Sequence, residues 1–221
     1  MVPPRPRRTA DPAPAAGPGR PKDLGKRAAI LDAAKRLFTA QGYEGVSMDA
    51  IANEAGVSKL TVYSHFGDKD ALFAEAVKAH CERGVPPTLL EDRPQQPVRE
   101  RLTEIATAFY AMISAPEAIA GQRMLCSPQV MDTALPQLFW EAGPRRVQDG
   151  LKTLLDARVA AGDLDIPDTG LAASQFFTLL KGEPHARMVF GCGCSGDPDM
   201  TPEAHVRACI DMFLRAYGVR G

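Results

Sequence analysis

The chain has 221 residues, 45% of them hydrophobic and 24% charged, ordinary proportions for a soluble globular protein of one or two domains. Its net charge of −1 hides a basic front, with 11 Lys and Arg against 8 Asp and Glu through residue 70, and an acidic remainder with 15 against 19, so the front suits a polyanion. No run approaches the eighteen or so consecutive apolar residues of a membrane span, the N-terminus is too proline-rich for a secretory signal, and five cysteines without framework spacing fit a reducing cytoplasm.

Residues 1–23 read as a disordered, basic, proline-rich tail. Seven of the first 21 residues are proline, interleaved with Arg5, Arg7, Arg8, Arg20 and Lys22. Nothing in that stretch could bury enough surface to offset its ordering entropy. The tail is either a solvated extension or an arm whose arginines add phosphate or minor-groove contacts.

Residues 24–70 read as a three-helix unit. Ile30, Leu31, Ala34, Leu37 and Phe38 make one apolar helix face, which Gly42 ends. Ser47 is a good N-cap for a short second helix with Met48, Ile51, Ala52 and Ala55 inward. Gly56 follows where a helix C-terminus needs a left-handed residue, and Ser58 caps a third helix, Lys59 to Phe66. Gly67 closes it, and Asp68 caps a fourth that starts at Lys69.

Two short helices joined by a tight glycine turn form a helix-turn-helix, able to place the second helix in a DNA major groove. The third helix, roughly 13 Å long at about 1.5 Å per residue, suits a groove about 12 Å wide. Successive steps of about 100° put Val62 and Phe66 inward and Leu60 and Ser64 outward, with Thr61 and Tyr63 on the shoulders. That outward face is short of charge. It offers hydroxyls and an aliphatic group, which suit base edges, a thymine methyl and phosphates. Lys59, His65 and Lys69 read as phosphate contacts, and the helix starts at Ser47, Ser58 and Asp68 present N–H groups that favour anions. A small packing unit without a nucleic-acid role is the alternative.

Residues 71–221 read as a second, helical domain. Prolines 86, 87, 94 and 97 break the pattern, and helices then recur over about 98–114, 116–126, 132–161, 168–190 and 202–217. The fold class is all-α. The last helix carries a stripe of Val206, Cys209, Ile210, Phe213, Leu214 and Tyr217. The helix before it looks apolar nearly all round, with Phe176, Phe177, Leu179 and Leu180, so one side should meet a symmetric partner. Phe176, Leu180, Val206, Ile210, Phe213, Leu214 and Tyr217 are therefore expected at a dimer interface. Pro184 should kink that helix by clashing with the Leu180 carbonyl. Phe109, Tyr110, Ile113, Met124, Met131, Phe139, Trp140 and Phe177 could line a pocket for a small hydrophobic ligand. Aromatics and methionines at helical spacing can equally be core.

The run from Arg27 to Phe73 carries Ile30-Leu31, Ala33-Ala34, Leu37-Phe38, Gly42-Tyr43, Ser47, Ile51-Ala52, Ala55-Gly56-Val57-Ser58, Thr61-Val62-Tyr63, His65-Phe66, Lys69 and Leu72-Phe73. It closely resembles the tetracycline-repressor (TetR) family. Leu135-Pro136, Gly143-Pro144, Gly162-Asp163-Leu164 and Leu180-Lys181-Gly182 resemble the C-terminal domain of AefR-like members. The resemblance implies a homodimeric regulator on a palindromic double-stranded DNA operator, with a C-terminal domain that dimerises and binds a small molecule, usually causing release. By position it implies phosphate contacts from Ser47, Thr61, Tyr63, His65 and Lys69. Base contacts fall to Lys59, Leu60, Thr61 and Ser64.

Other signals are weak. Cys192 and Cys194 could sense redox state, but two cysteines one apart complete no tetrahedral metal site. The histidines are dispersed, and no nucleophile elbow, P-loop or zinc-protease motif occurs, so no enzyme, metal or cofactor is expected. An architectural DNA-binding role without an inducer and a redox-sensing role remain as alternatives to a ligand-released repressor.

Overall fold

Side-chain caps set the starts of the first four helices in the computed structural model, which describes residues 23–192 and 201–219. Asp23 accepts from the N–H groups of Gly25 and Lys26 and starts α1 (Leu24–Gln41). Ser47 accepts from Ala50 at 3.1 Å and starts α2 (Met48–Glu54). Ser58 accepts from Thr61 at 3.2 Å at the head of α3 (Lys59–Phe66), and Asp68 from Ala71 at 2.8 Å at the head of α4 (Lys69–Gly84). Each cap satisfies a backbone donor that has no partner within its own helix.

Between α2 and α3 the chain turns at Gly56, whose φ of +65° is the left-handed value that side chains resist. The Val57 N–H then reaches back to the Ala52 carbonyl at 3.0 Å, closing the turn. Ile30, Ala33, Ala34, Ile51, Ala52 and Val62 are buried together at its centre. Phe38, Tyr43 and Phe73 stack or meet edge-on with centroids 5.4–5.5 Å apart, joining α1, the following loop and α4.

This first core continues into the rest of the chain. Leu72 and Phe73 of α4 belong to it, and so do Leu125, Val130 and Leu135 from the later segment. That later segment comprises α5 (Pro87–Leu90), α6 (Val98–Ser114), α7 (Pro116–Leu125), α8 (Pro128–Met131), α9 (Leu135–Ala142), α10 (Pro144–Ala160), α11 (Thr169–Phe190) and α12 (Pro202–Tyr217). Its own core holds Leu102, Ile105, Leu151, Leu154, Leu155 and Ala173. The described residues form no strand, only an isolated bridge between Leu164 and Gly218.

Three places depart from the sequence-based expectation. The helix expected over about 132–161 is divided into α9 and α10. Pro144 disfavours helical geometry at the residue before it, and Gly143 sits there at φ −125°, ψ −79°. A side chain at Gly143 would also meet Cys81 Sγ and Val77 Cγ1 at 2.8 Å, so the close approach of α4 requires glycine. The 86–97 connection is held by buried Arg101 and Arg158 rather than left as a bare linker. Arg101 donates to the Thr88 and Glu91 carbonyls at 3.0 and 2.8 Å, while Arg158 donates to the Arg93 carbonyl at 2.5 Å and pairs with Asp92 and Asp163.

The third departure concerns the dimer residues. Phe176, Leu180, Val206, Ile210 and Phe213 are 0–4% exposed within a single chain. They fill its own core and have no surface left for a partner. Leu214 and Tyr217 are half-buried, with the Tyr217 hydroxyl donating to Gln175 Oε1 at 2.5 Å. Nor is α11 apolar all round, since Gln175, Thr178 and Lys181 are exposed. The kink expected from Pro184 is present, with a non-helical Gly182 at φ +46°, ψ −159°. His205 Nε2 lies 2.9 Å from the Leu180 carbonyl, an acceptor that Pro184 has no N–H to satisfy.

Candidate nucleic-acid interface and effector cavity

The outward side of α3 forms a small, nearly uncharged surface. Leu60 is 79% exposed and Tyr63 41%, while Val62 and Phe66 are buried beneath them. Their contrast follows from the helical step of about 100°, which sets Leu60 about 200° from Val62. Ser64 is exposed, but its hydroxyl donates to the Thr61 carbonyl at 2.8 Å. It keeps its acceptor capacity for an incoming group. The Thr61 hydroxyl is 2.8 Å from that of Ser58, so these two share a hydrogen at the helix start.

Cations border this surface. Lys59 Nζ is 2.9 Å from Asp49 and 5.9 Å from the centre of the Tyr63 ring. The Asp49 bond raises the Lys59 pKa, keeping the exposed ammonium charged. Lys69 holds its ammonium 4.1 Å from the centre of the Tyr43 ring, an ordered cation at the start of α4. The Tyr43 hydroxyl donates to Asp70, and burial with that carboxylate raises the phenol pKa. His65 is half-buried, with Nδ1 enclosed and no hydrogen-bond partner among the described residues, so only its other edge is open to a phosphate. Ser47 and Ser58 are exposed at their helix starts. Of the nine residues expected at the DNA face, Ser47 and Ser58 cap α2 and α3, Lys59, Leu60, Thr61, Tyr63, Ser64 and His65 lie on α3, and Lys69 starts α4.

A cavity of about 310 Å³ lies where this unit meets the later helices. Phe109, Ile113, Met124, Phe139, Trp140 and Phe177 line it, six of the eight residues expected from the sequence. Tyr110 is instead core beside the His205 ring, 5.2 Å between centroids, and Met131 is 61% exposed at the end of α8. The sequence reading missed the other half of the wall. Lys35, Phe38 and Thr39 of α1 and Phe73, Val77 and His80 of α4 face the same space. So do Lys181 and His185, which flank the α11 kink. Nothing in local periodicity marks these positions, because they converge only when distant helices pack.

Burial, reinforced by Lys35 and Arg83, holds the His80 pKa below the ordinary histidine value. Desolvation by the surrounding wall also lowers Lys181, although part of its side chain reaches solvent, and desolvation with the nearby Lys181 charge lowers His185. Cys81 is a buried thiol on the same wall, pushed up to about 11 by desolvation and therefore unreactive as a nucleophile. Of the two cysteines weighed for redox sensing, Cys192 is exposed and Cys194 lies outside the described residues. No helix among the described residues is long and apolar enough to cross a membrane.

Comparison with known proteins agrees with this geometry. Residues 30–76 match the model of bacterial regulatory proteins of the tetR family, and residues 100–219 match that of the AefR-like transcriptional repressor C-terminal domain. The flavonoid-responsive regulator FrrA is 32% identical, with a TM-score of 0.70 over 90% of this chain and 100% of that one. A structure described as a TetR-family regulator from Mesorhizobium loti is 29% identical, with a TM-score of 0.71 over 89% of this chain and 98% of that one. The transcriptional activator FasR of Mycolicibacterium smegmatis is 34% identical over 88 residues, a match spanning 40% of each chain.

Proposed function

We propose that this chain, which belongs to the tetR family of bacterial regulatory proteins, acts as a homodimeric repressor that leaves its palindromic operator when a small molecule fills the junction cavity. The family consists of DNA-binding transcriptional regulators and not enzymes. The observation that carries the effector reading is the shared wall of the cavity. Its residues come from α1 of the DNA-binding unit as well as from α4, α6, α7, α9, α10 and α11. A ligand touching both units can bind two relative orientations with different affinity, the condition for shifting between them. FrrA, whose name describes it as flavonoid-responsive, is a similar protein over nearly the whole chain and is consistent with a small-molecule signal.

Operator affinity measured with and without a panel of neutral, anionic and cationic lipophilic compounds tests the reading. At least one compound should weaken the complex by about fivefold or more, the lower end of typical coupling. If none does, and the protein also coats many unrelated sites, the architectural role replaces it.

The two recognition helices of a dimer must sit about 34 Å apart to enter successive major grooves on one side of the duplex. The exposed sides of α11 and α12 supply a surface for the pairing. Ala208, Met212 and Ala216 follow one another at four-residue spacing on α12, and Leu171, Gln175 and Thr178 are exposed on α11. Small side chains allow close helix approach, and Met212, 55% exposed, would lie within the contact. Met212→Glu sets like charges against each other across the twofold axis. We expect sedimentation to show its dimer dissociation constant raised by about tenfold or more with the melting temperature of the monomer fold kept. An unchanged dimer would move the interface elsewhere.

A further inference from the structure

Around the junction cavity, nitrogen bases outnumber acids. Lys35 and His80 form one pair, Lys181 and His185 a second, and Glu117 is the sole carboxylate of the described lining. Among the described residues none of the four bases has a hydrogen bond or ion pair within bonding distance. The remaining wall is mainly apolar, with Phe109, Met124, Phe139, Trp140 and Phe177. Partly enclosed cations without counter-ions are costly, and each pair also repels itself. The lowered pKa values of His80, Lys181 and His185 express that cost, which Glu117 opposes only weakly at His80.

A second hollow, of about 480 Å³ between α4, α5, α9 and α10, gives the contrast. There Lys78 and Arg146 are outnumbered by Glu82, Glu91 and Asp92, and Arg146 approaches Glu82 at 3.9 Å. It has no excess of bases to recognise an acidic ligand. The junction cavity has both an excess and an apolar body.

We propose that the effector of the junction cavity is an amphipathic organic anion, a carboxylate on a large apolar body, with its head held by Lys181 and His185 at the α11 kink. The inference rests on the effector reading above and adds the chemical class. A carboxylate supplies acceptors for both donors in charge-assisted bonds, while its body displaces poorly bound water from the aromatic wall. An ammonium head would face the same bases and be repelled. An alcohol would leave the bases without a counter-charge.

Decanoate, decan-1-ol and decylamine share one chain and differ in the head. Trp140, the only tryptophan of the chain and part of the cavity wall, reports their binding by fluorescence. Decanoate should bind about tenfold or more tighter than the alcohol, with decylamine weakest, and should release operator DNA. Lys181→Gln should collapse the preference to about threefold or less, and Lys181→Glu should turn it toward decylamine. Melting curves of the variants confirm that each is folded. The proposal fails if decanol or decylamine matches decanoate, if decanoate does not bind up to its solubility, or if the preference survives in the Lys181→Gln, His185→Gln double variant. Binding of decanoate that leaves the operator complex intact overturns the effector reading and keeps the acid selectivity. Release by neutral or cationic compounds alone does the reverse.

Discussion

Replacing Leu60 by glutamate should lower operator affinity by about 100-fold, because each half-site then meets a carboxylate at a cost of about 1–3 kcal/mol. The residue is 79% exposed on α3, so the substitution disturbs no core contact and the fold should melt as the parent does. Leu60→Ala, by contrast, should change which sequence is preferred and leave non-specific binding nearly as it was. Lys69→Ala should weaken binding to every sequence and reduce the slope of log affinity against log salt by about 1. Fluorescence anisotropy on operator and scrambled duplexes at several salt concentrations separates these effects. Operator affinity of Leu60→Glu within about threefold of the parent would mean that α3 does not enter the groove as proposed.

The second large effect concerns stability. Arg158 is 2% exposed, yet it places Nε 2.8 Å from Asp92 and Nη1 3.1 Å from Asp163, with Nη2 donating to the Arg93 carbonyl at 2.5 Å. The Nε–H does not point along its contact, so the Asp92 link is an ion pair and not a well-formed hydrogen bond. Arg158→Met keeps much of the stem volume and removes the fork. It strands a carbonyl and two carboxylates that are part-exposed, at 29% and 42%. Because water can reach those carboxylates, the loss should fall near the lower end for a broken buried pair, about 3 kcal/mol. That corresponds to a fall of roughly 10 °C in Tm for a chain of this size. Arg158→Lys, with the charge but not the fork, should lose less. A methionine variant melting within about 2 °C of the parent would show that the arginine does not hold the 86–97 connection.

Ser47, Ser58 and Asp68 could be read as caps because a cap needs only a short side chain a few residues before the donor it satisfies. Val62 and Phe66 could be placed inward, and Leu60 and Ser64 outward, because one helical period fixes their angles. The break near Pro184 follows from ring geometry alone. The single helix expected over 132–161 failed at Leu135-Pro136 and Gly143-Pro144, where apolar periodicity runs on through residues that interrupt the backbone. Five of the seven residues expected at the dimer interface lie in the chain's own core for a different reason. Periodicity identifies an apolar stripe but not whether the chain's own helices or a second copy covers it. Here Phe176 meets Phe213 edge-on at 5.2 Å within one chain, which uses up the stripe.

By itself, then, the sequence determined the all-α class, the helix-turn-helix, its outward face and the family resemblance carried by residues 27–73. All of these depend on interactions within a few residues of one another, where stereochemistry leaves little choice. Only the tertiary structure decided that α1 and α4 share a cavity wall with α11, and that Lys35, His80, Lys181 and His185 face the same space. It also decided that Arg101 and Arg158 go inside to hold the 86–97 connection between α4 and α6. A buried arginine and a ring of unpaired bases have no local signature. They arise where helices distant in the chain bring charges together, and packing sets that distance.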